Sequence, residues 1–201
     1  MDNGANSYRR FLDGDENAFD DIINEYKENL IFFIERYVHD MSAAEDIAID
    51  VFADLLVHKS RYNFKVQLKT YMFMIGRSKA LNYIKHRDKF RMVEYEDAES
   101  ELIYRENVEY AVLIDETKRI VNEAIDKIPK DMREVIHLVF FEELSYEEAA
   151  KVMKKTKKQV DNLLYRAKKE LRTIIGKDGE LLLWGQMKNL KQKYIDVAKK
   201  S

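Results

Sequence analysis

The sequence predicts an all-α protein with two small helical domains, and three observations lead to that fold class. The 201 residues include one proline and six glycines, so residues that break helices are scarce. Several segments place apolar side chains three and four positions apart, which is the spacing of a buried helical face. Between them lies an acidic stretch, residues 94–113, whose weaker periodicity favours a flexible linker.

The first domain, residues 1–93, is predicted to begin with a helical hairpin. Two apolar helical faces follow one another, and the second helix is predicted to start at a capping box formed by Ser42 and Glu45. Residues 58–69 then lose the helical periodicity and mix basic with aromatic side chains. They predict a loop, followed by a third helix over about 70–86.

The second domain, residues 114–175, is predicted to end in a helix-turn-helix of the winged-helix-like class. Two capping boxes lie close together, Ser145 with Glu148 and Thr156 with Gln159, and each marks the start of a helix. Small alanines on the first of these helices allow the close crossing that the motif requires. The sequence therefore specifies a short helix, a tight turn and a longer helix.

Two further helices are predicted around this motif. Pro129 stands where the first position of a helix tolerates proline, so a short helix is expected over about 130–141, after one that ends near Ile128. Residues 176–201 place apolar side chains at heptad-like spacing, which predicts an extra amphipathic helix. That extension would either pack on the second domain or offer a surface to a partner.

Charge is distributed unevenly along the chain although the net charge is only −2. Residues 1–57 carry a net charge of −10, 58–93 carry +9, 94–148 carry −11 and 149–201 carry +10. Two basic blocks separated by an acidic one indicate two surfaces that face nucleic acid. For either block alone, a solvated helix face is the competing interpretation.

The longer helix of the predicted motif leaves a polar face outside. Lysines at its start would meet phosphates, and Asn162 has the amide that reads the edge of adenine in a major groove. An ordinary helical hairpin with a basic solvated face is the alternative, but order, spacing and charge together favour DNA binding. The predicted contact residues are Thr156, Lys157, Lys158, Gln159, Asp161, Asn162, Tyr165 and Arg166.

Several classes of protein are disfavoured. The chain has no cysteine, no apolar run long enough to span a bilayer and no apolar core of a secretory signal, so we expect a cytoplasmic protein without membrane insertion. Its four histidines lack the spacing of metal ligands, and no phosphate-binding glycine loop or nucleophile motif occurs. We expect no enzyme, no catalytic residue, no metal and no cofactor.

Five landmarks in order resemble the sigma factors of bacterial RNA polymerase, specifically the extracytoplasmic-function (ECF) type that has only the second and fourth conserved regions. They are GDENAF (14–19), AAEDIAIDVF (43–52), YMFMIGRSKALNYIKHR (71–87), IPKDMREVIHL (128–138) and the helix-turn-helix. The resemblance implies a transcription initiation factor whose partners are polymerase core and promoter DNA. It also admits an anti-sigma factor as a partner.

The resemblance implies that Asp46, Asp50 and Phe52 dock on polymerase core. The sequence offers a physical reason, since Asp46, Asp50 and Asp54 recur every four residues and form an acidic stripe beside Ile49. A stripe that only solubilises its helix is the alternative interpretation. The predicted core-binding residues are therefore Asp46, Ile49, Asp50, Phe52 and Asp54.

By the same resemblance, the basic aromatic loop and the third helix open and read the minus-ten promoter element, and the helix-turn-helix reads the minus-thirty-five element. Opening needs aromatic platforms for unstacked bases and cations along a backbone groove. Tyr71 stands where the family has a buried aromatic, so we assign it to the core. The predicted minus-ten residues are Tyr62, Asn63, Phe64, Lys65, Lys69, Arg77, Lys79, Asn82 and Lys85.

The main alternative is an autonomous helix-turn-helix regulator that binds DNA as a dimer. It would explain the second basic block equally well, but it leaves the first basic block and its aromatic loop unexplained. The sequence also departs from the family's pattern, since Ser78 replaces a common asparagine and Lys154 occupies the place of the usual turn glycine. These departures affect which bases are read, and leave the fold prediction unchanged.

Overall fold

A computed structural model describes residues 3–94 and 123–176 of the chain, with side chains described up to Lys89 in the first range. Within these ranges every regular element is helical and no strand occurs, which confirms the predicted fold class. The described residues form two compact units. One contains residues 3–90 and 144–156, and the other contains 91–94, 123–143 and 157–176.

Four α-helices build most of the first unit. The predicted hairpin and the third helix are present, and the third helix begins two residues earlier and ends eight residues later than its predicted bounds. The elements are α1 (Asn3–Leu12), α2 (Asn17–Val38), α3 (Met41–Val57), a short 3-10 turn (Lys59–Arg61) and α4 (Leu68–Glu94).

Helix α1 was not among the predicted elements, although Tyr8 and Phe11 have the three-residue spacing of a buried face. Tyr8 is fully buried, and its hydroxyl donates a hydrogen bond to the carbonyl oxygen of Leu55 at 2.8 Å. Burial disfavours the phenolate and raises the pKa of Tyr8 to about 12. The ring of Phe11 packs on Phe19 with centroids 4.8 Å apart. These contacts fix α1 to α2 and to the end of α3.

The core of the first unit depends on the close approach of α2 and α4. A Cβ atom at Gly76 would lie 3.1 Å from Cδ1 of Leu30 and 3.4 Å from Cδ1 of Ile34, so a larger residue would require these side chains to shift by a few tenths of an ångström. The rings of Phe33 and Phe73 pack beside it with centroids 4.6 Å apart. Both rings are buried, so this crossing contributes much of the burial that stabilises the unit.

Asp40, and not the predicted Ser42 and Glu45 box, caps helix α3. The Asp40 side chain accepts a hydrogen bond from the backbone nitrogen of Ala43 at 3.1 Å. His39 ends α2 in the left-handed conformation, so only two residues join the helices. Because α3 already begins at Met41, the cap has to come from the residue before it.

The remaining helices follow the predicted order. Helix α5 (Lys130–Ile136) continues into a π-helical turn (His137–Phe141), and α6 (Tyr146–Met153) and α7 (Lys157–Ile175) come next. Pro129 lies one residue before α5 instead of at its first position. Most of the predicted linker and almost all of the predicted C-terminal extension lie outside the described residues.

Helix α7 buries one apolar face, as the sequence predicted. Val160, Leu164, Ala167 and Leu171 are buried at helical spacing, whereas Leu163 is only half-buried. Ile174 follows the same spacing, but its side chain is exposed one residue before the helix ends. Among the described residues, no helix is long and apolar enough to cross a membrane.

Candidate functional site

Helix α3 presents charged and apolar side chains together on its outer face. Asp46 and Asp50 of the acidic stripe are exposed. Beside them runs an apolar row made of Ile49, Ala53 and Leu56, in which Ile49 is 63% exposed and Leu56 is 45% exposed. Apolar side chains uncovered at i, i+4 and i+7 share one side of a helix, which is typical of a surface that another protein covers.

Two residues of this face differ from the sequence expectation. Phe52 is 7% exposed, so its ring supports the core, which corrects its prediction as a docking contact. Its spacing from Ala48 and Leu55, both buried, indicated this position. Leu56 was missed, although its place outside the buried spacing of α3 could have identified it.

Asp54 is only partly available, because two groups of the same unit approach it. Nζ of Lys79, on α4, lies 3.2 Å from Oδ2 of Asp54 and 3.4 Å from Oδ2 of Asp50. Nε2 of His58 lies 3.9 Å from Oδ1 of Asp54. The acidic stripe is therefore paired at its carboxyl-terminal end, and Lys79 lies against it.

The ring of Tyr62, predicted as a stacking platform for DNA bases, lies in the core. It is 3% exposed, and its hydroxyl donates to the carbonyl oxygen of Val66 at 2.7 Å. The rings of Tyr8 and Tyr71 lie 5.4 and 5.1 Å away between centroids. Tyr62 thus anchors the loop from inside, which corrects the expectation from sequence.

Phe64 is the half-buried aromatic residue of the same loop. Its backbone has φ of 60°, a left-handed conformation that costs a non-glycine residue roughly 1–3 kcal/mol. The guanidinium carbon of Arg9 lies 4.6 Å from the centroid of the ring, and Tyr62 packs on it at 4.6 Å. Asn63 supports the turn by accepting a hydrogen bond from the backbone nitrogen of Lys65 at 3.1 Å. The loop therefore holds Phe64 in a defined and strained position.

The other predicted minus-ten residues lie in the loop or on α4, in the same unit. Asn63, Lys65, Asn82 and Lys85 are exposed. Lys69 and Arg77 are half-buried, and Nζ of Lys69 lies 5.5 Å from the centroid of Phe73. These cationic and amide groups lie in the loop or on α4, whereas the Lys79 side chain lies against the acidic stripe of α3.

The start of α6 has the capping box that the sequence predicted. The backbone nitrogen of Glu148 donates to Oγ of Ser145 at 3.3 Å, and the backbone nitrogen of Ser145 donates to Oε2 of Glu148 at 2.9 Å. The helix ends at Lys154, whose φ of 54° and ψ of 44° are left-handed. The predicted short helix and tight turn are therefore confirmed.

The left-handed Lys154 leads to a prediction on stability. Substitution Lys154→Gly should raise the free energy of unfolding by roughly 0.5–1 kcal/mol, because glycine adopts this conformation without steric cost. Urea unfolding of the full chain would measure the change. Lys155→Gly, one residue on and outside the left-handed region, is the matched control and should destabilise. A Lys154→Gly variant less stable than the parent would contradict this explanation.

Helix α7 exposes its polar face as predicted. All eight predicted contact residues, from Thr156 to Arg166, are exposed, and Tyr165 is 71% exposed. Beneath them lie the buried Val160 and Leu164, which fix the rotation of the helix. Exposed lysines and amides at the amino-terminal half of a helix are suited to phosphates and base edges in a major groove.

No group of three or more histidine, cysteine, aspartate or glutamate side chains able to hold a metal ion occurs within residues 3–94 and 123–176. The described residues instead present an exposed acidic and apolar face on α3, a basic aromatic loop before α4, and a polar helix face on α7. These three features follow one another along the chain in the order of the sequence landmarks.

Comparison with known protein families identifies two regions of the chain. Residues 22–90 match the family described as sigma-70 region 2. Residues 118–171 match the family described as sigma-70, region 4. The first range includes α3, the loop and all but the end of α4, and the second includes α5, α6 and most of α7, so together they span more than half of the chain.

Named relatives cover most of the chain. The RNA polymerase sigma-H factor of Pseudomonas aeruginosa is 29% identical over 168 residues, which are 79% of this chain and 86% of that protein. The ECF RNA polymerase sigma factor SigW of Bacillus subtilis is 26% identical over 167 residues, covering 79% and 89% of the two chains. The ECF RNA polymerase sigma-E factor of Escherichia coli is 25% identical, covering 81% and 88%.

Solved structures share the fold at lower identity. The sigma factor RpoE in complex with the anti-sigma factor NepR from Bartonella quintana has a TM-score of 0.60 and 21% identity, covering 80% of this chain and 98% of that one. CnrH in complex with the cytosolic domain of CnrY has a TM-score of 0.59 and 19% identity, covering 86% and 94%.

Proposed function

The chain belongs to the sigma-70 family of RNA polymerase sigma factors, in the ECF subfamily, and we propose that three of its surfaces divide the work of promoter-specific initiation. It acts without catalysis of its own, by binding polymerase core and directing it to promoters. The surfaces are the outer face of α3, the loop with α4, and the polar face of α7. The observation that carries the proposal is the outer face of α3, because an uncovered apolar row beside carboxylates is typical of a surface that another protein covers.

The α3 face docks polymerase core. Asp46 and Asp50 attract a basic partner surface and orient it, while Ile49, Ala53 and Leu56 supply apolar area that docking removes from water. Charges steer the encounter and fix the register, and the buried apolar contacts hold the complex. Affinity for core and transcription from a cognate promoter with added core test this assignment.

The loop and α4 engage the opened minus-ten element. Phe64 is the aromatic side chain available to a base that has left the duplex, since Tyr62 is committed to the core. Lys65, Lys69, Arg77 and Lys85 provide cations for the phosphates of the separated strand, and Asn63 and Asn82 provide amides. Holding Phe64 in place before DNA arrives reduces the ordering cost of stacking.

The polar face of α7 reads the minus-thirty-five element as duplex. Lys157 and Lys158 contact phosphates at the start of the helix, and Asn162 and Arg166, exposed one and two turns further along, read base edges in the major groove. The autonomous dimeric regulator, by contrast, finds no support in the family comparisons. That alternative does not explain why most of the first basic block lies within the region 2 match.

The phosphate contacts lead to a measurable prediction. Lys157→Ala/Lys158→Ala should weaken holoenzyme binding to promoter duplex and reduce the logarithmic salt slope by roughly 1.8, about 0.9 for each lost phosphate contact. Fluorescence anisotropy across a salt series would measure the slope. Lys169→Ala, an exposed lysine three turns further along α7, serves as the control and should leave it unchanged. An unaltered slope in the double variant would remove both lysines from the interface.

We further propose a cytoplasmic location and an anti-sigma partner. In solved structures that share this fold, the sigma factor RpoE is bound to the anti-sigma factor NepR and CnrH is bound to the cytosolic domain of CnrY. An anti-sigma protein that covers the α3 face would compete with polymerase core. Competition between core and a co-purified partner for binding to the chain would test this, and simultaneous binding of both to the chain would contradict it.

A further inference from the structure

The Lys79 side chain lies against helix α3, and not on the DNA-facing surface that the sequence predicted. It was predicted to contact promoter DNA, yet its Nζ atom lies 3.2 Å from Asp54 and 3.4 Å from Asp50, both on α3. Its side chain is 28% exposed, so the lysine is packed between helices and is not extended into solvent. One cation of α4 is therefore shared by two carboxylates of the acidic stripe.

This pairing changes the charge that the α3 face offers to a partner. The stripe contains three carboxylates, and Lys79 neutralises the equivalent of one of them. His58 approaches Asp54 from the other side at 3.9 Å, whereas Asp46 joins no ion pair in the described part of the chain. A basic partner surface has to compete with Lys79 for Asp50 and Asp54, but it meets Asp46 without competition.

We propose that Lys79 is an internal counter-ion of the docking surface, which lowers its affinity for polymerase core, and that it is not a promoter contact. The inference rests on the proposed function, because it presupposes that core docks on α3. In the free chain, the ammonium group of Lys79 forms ion pairs with the carboxylates of Asp50 and Asp54. On docking, the partner's basic groups replace it, so part of the favourable electrostatic energy is used to exchange one set of ion pairs for another.

The effect should be moderate, because the pairs are partly exposed. Asp50 has a side chain that is 66% exposed, and solvent weakens ion pairs of this kind. Salt weakens them further. Lys79 thus adjusts the affinity and its ionic-strength dependence, and Asp46 with the apolar row remains the basis of docking.

Removing the charge of Lys79 tests the proposal. Lys79→Met keeps a long apolar side chain, and it should tighten binding of polymerase core by roughly twofold to tenfold at low salt, with a smaller gain as ionic strength rises. Lys79→Gln should change affinity in the same direction. Lys27→Met, an exposed lysine of α2, removes the same charge elsewhere and should leave core affinity unchanged.

A double-mutant cycle isolates the pairing. Asp50→Asn/Asp54→Asn should weaken core binding, and adding Lys79→Met to that variant should give a different gain in affinity from the one it gives in the wild type, because the ion pairs that docking has to exchange are absent. Once core is saturated with Lys79→Met, strand opening should match that of the wild type. A promoter contact at Lys79 would instead reduce opening at saturation.

Several outcomes would overturn the inference while leaving the proposed function intact. Unchanged or weaker core affinity of folded Lys79→Met and Lys79→Gln would do so, as would loss of opening by the saturated holoenzyme. If wild-type chain has no affinity for core at all, the proposed function itself fails. The two failures are distinguishable because the wild-type titration is measured first and on its own.

Discussion

Asp46→Lys/Asp50→Lys should abolish association of this chain with polymerase core. Both carboxylates are exposed on α3, and reversing them turns attraction to a basic partner surface into repulsion. Like charges juxtaposed at an interface cost several kcal/mol, so affinity should fall by roughly a hundredfold or more. A titration of labelled chain with purified core, read by fluorescence anisotropy, measures the loss directly.

The controls separate docking from folding and from net charge. Asp50→Lys also brings a second ammonium group to Lys79, so circular dichroism and the thermal midpoint should be recorded, and small changes are expected because both positions lie outside the core. Asp20→Lys/Glu25→Lys makes the same charge change on exposed positions of α2 and should bind core normally. Retained association of the α3 variant would rule out docking through the acidic stripe.

Phe64→Ala should leave binding to closed promoter duplex intact and reduce strand opening by roughly tenfold to a hundredfold, since each base stacked on an aromatic ring is worth about 1–3 kcal/mol. The ring sits on a strained loop, which is consistent with a position kept for binding and not for stability. Permanganate reactivity of unpaired thymines in the holoenzyme complex would measure opening.

Tyr62→Phe provides the matched control for this loop. It removes the hydrogen bond from the Tyr62 hydroxyl to Val66 but retains the buried ring, so it should lower stability slightly and leave opening unchanged. Phe64→Tyr should retain opening because it keeps an aromatic face. Normal opening by Phe64→Ala in a folded holoenzyme would assign Phe64 to the structure of the loop alone.

Much of the fold could be predicted because the start, the end and the buried face of a helix are determined by residues that are close together in the sequence. The capping box of Ser145 and Glu148, the left-handed turn at Lys154 and the buried spacing of α7 all depend on residues a few positions apart. The helical spacing of α3 likewise placed Phe52 among the buried residues, although the family resemblance suggested that Phe52 docks on polymerase core. In that case the periodicity of the chain was the better guide.

The features that sequence could not predict depend on distant residues or irregular backbone. Tyr62 lies in a segment without periodicity, so its burial follows from packing against Tyr8 of α1, more than fifty positions away. The pairing of Lys79 with Asp54 joins two helices whose relative rotation no local pattern specifies. Helix α1 has only ten residues, and of its four buried residues only Tyr8 and Phe11 have large side chains, so its apolar pattern is short.

The most direct test that this chain directs polymerase core to promoters combines the purified chain, polymerase core and fragmented DNA from a bacterium that encodes the chain. Transcripts with defined start sites should appear only when chain and core are both present, and Asp46→Lys/Asp50→Lys should remove them. Core alone and chain alone should give no such transcripts. If the chain instead binds a specific duplex tightly without core, and the double variant still directs transcription, the chain acts as an autonomous regulator and does not initiate transcription through polymerase core.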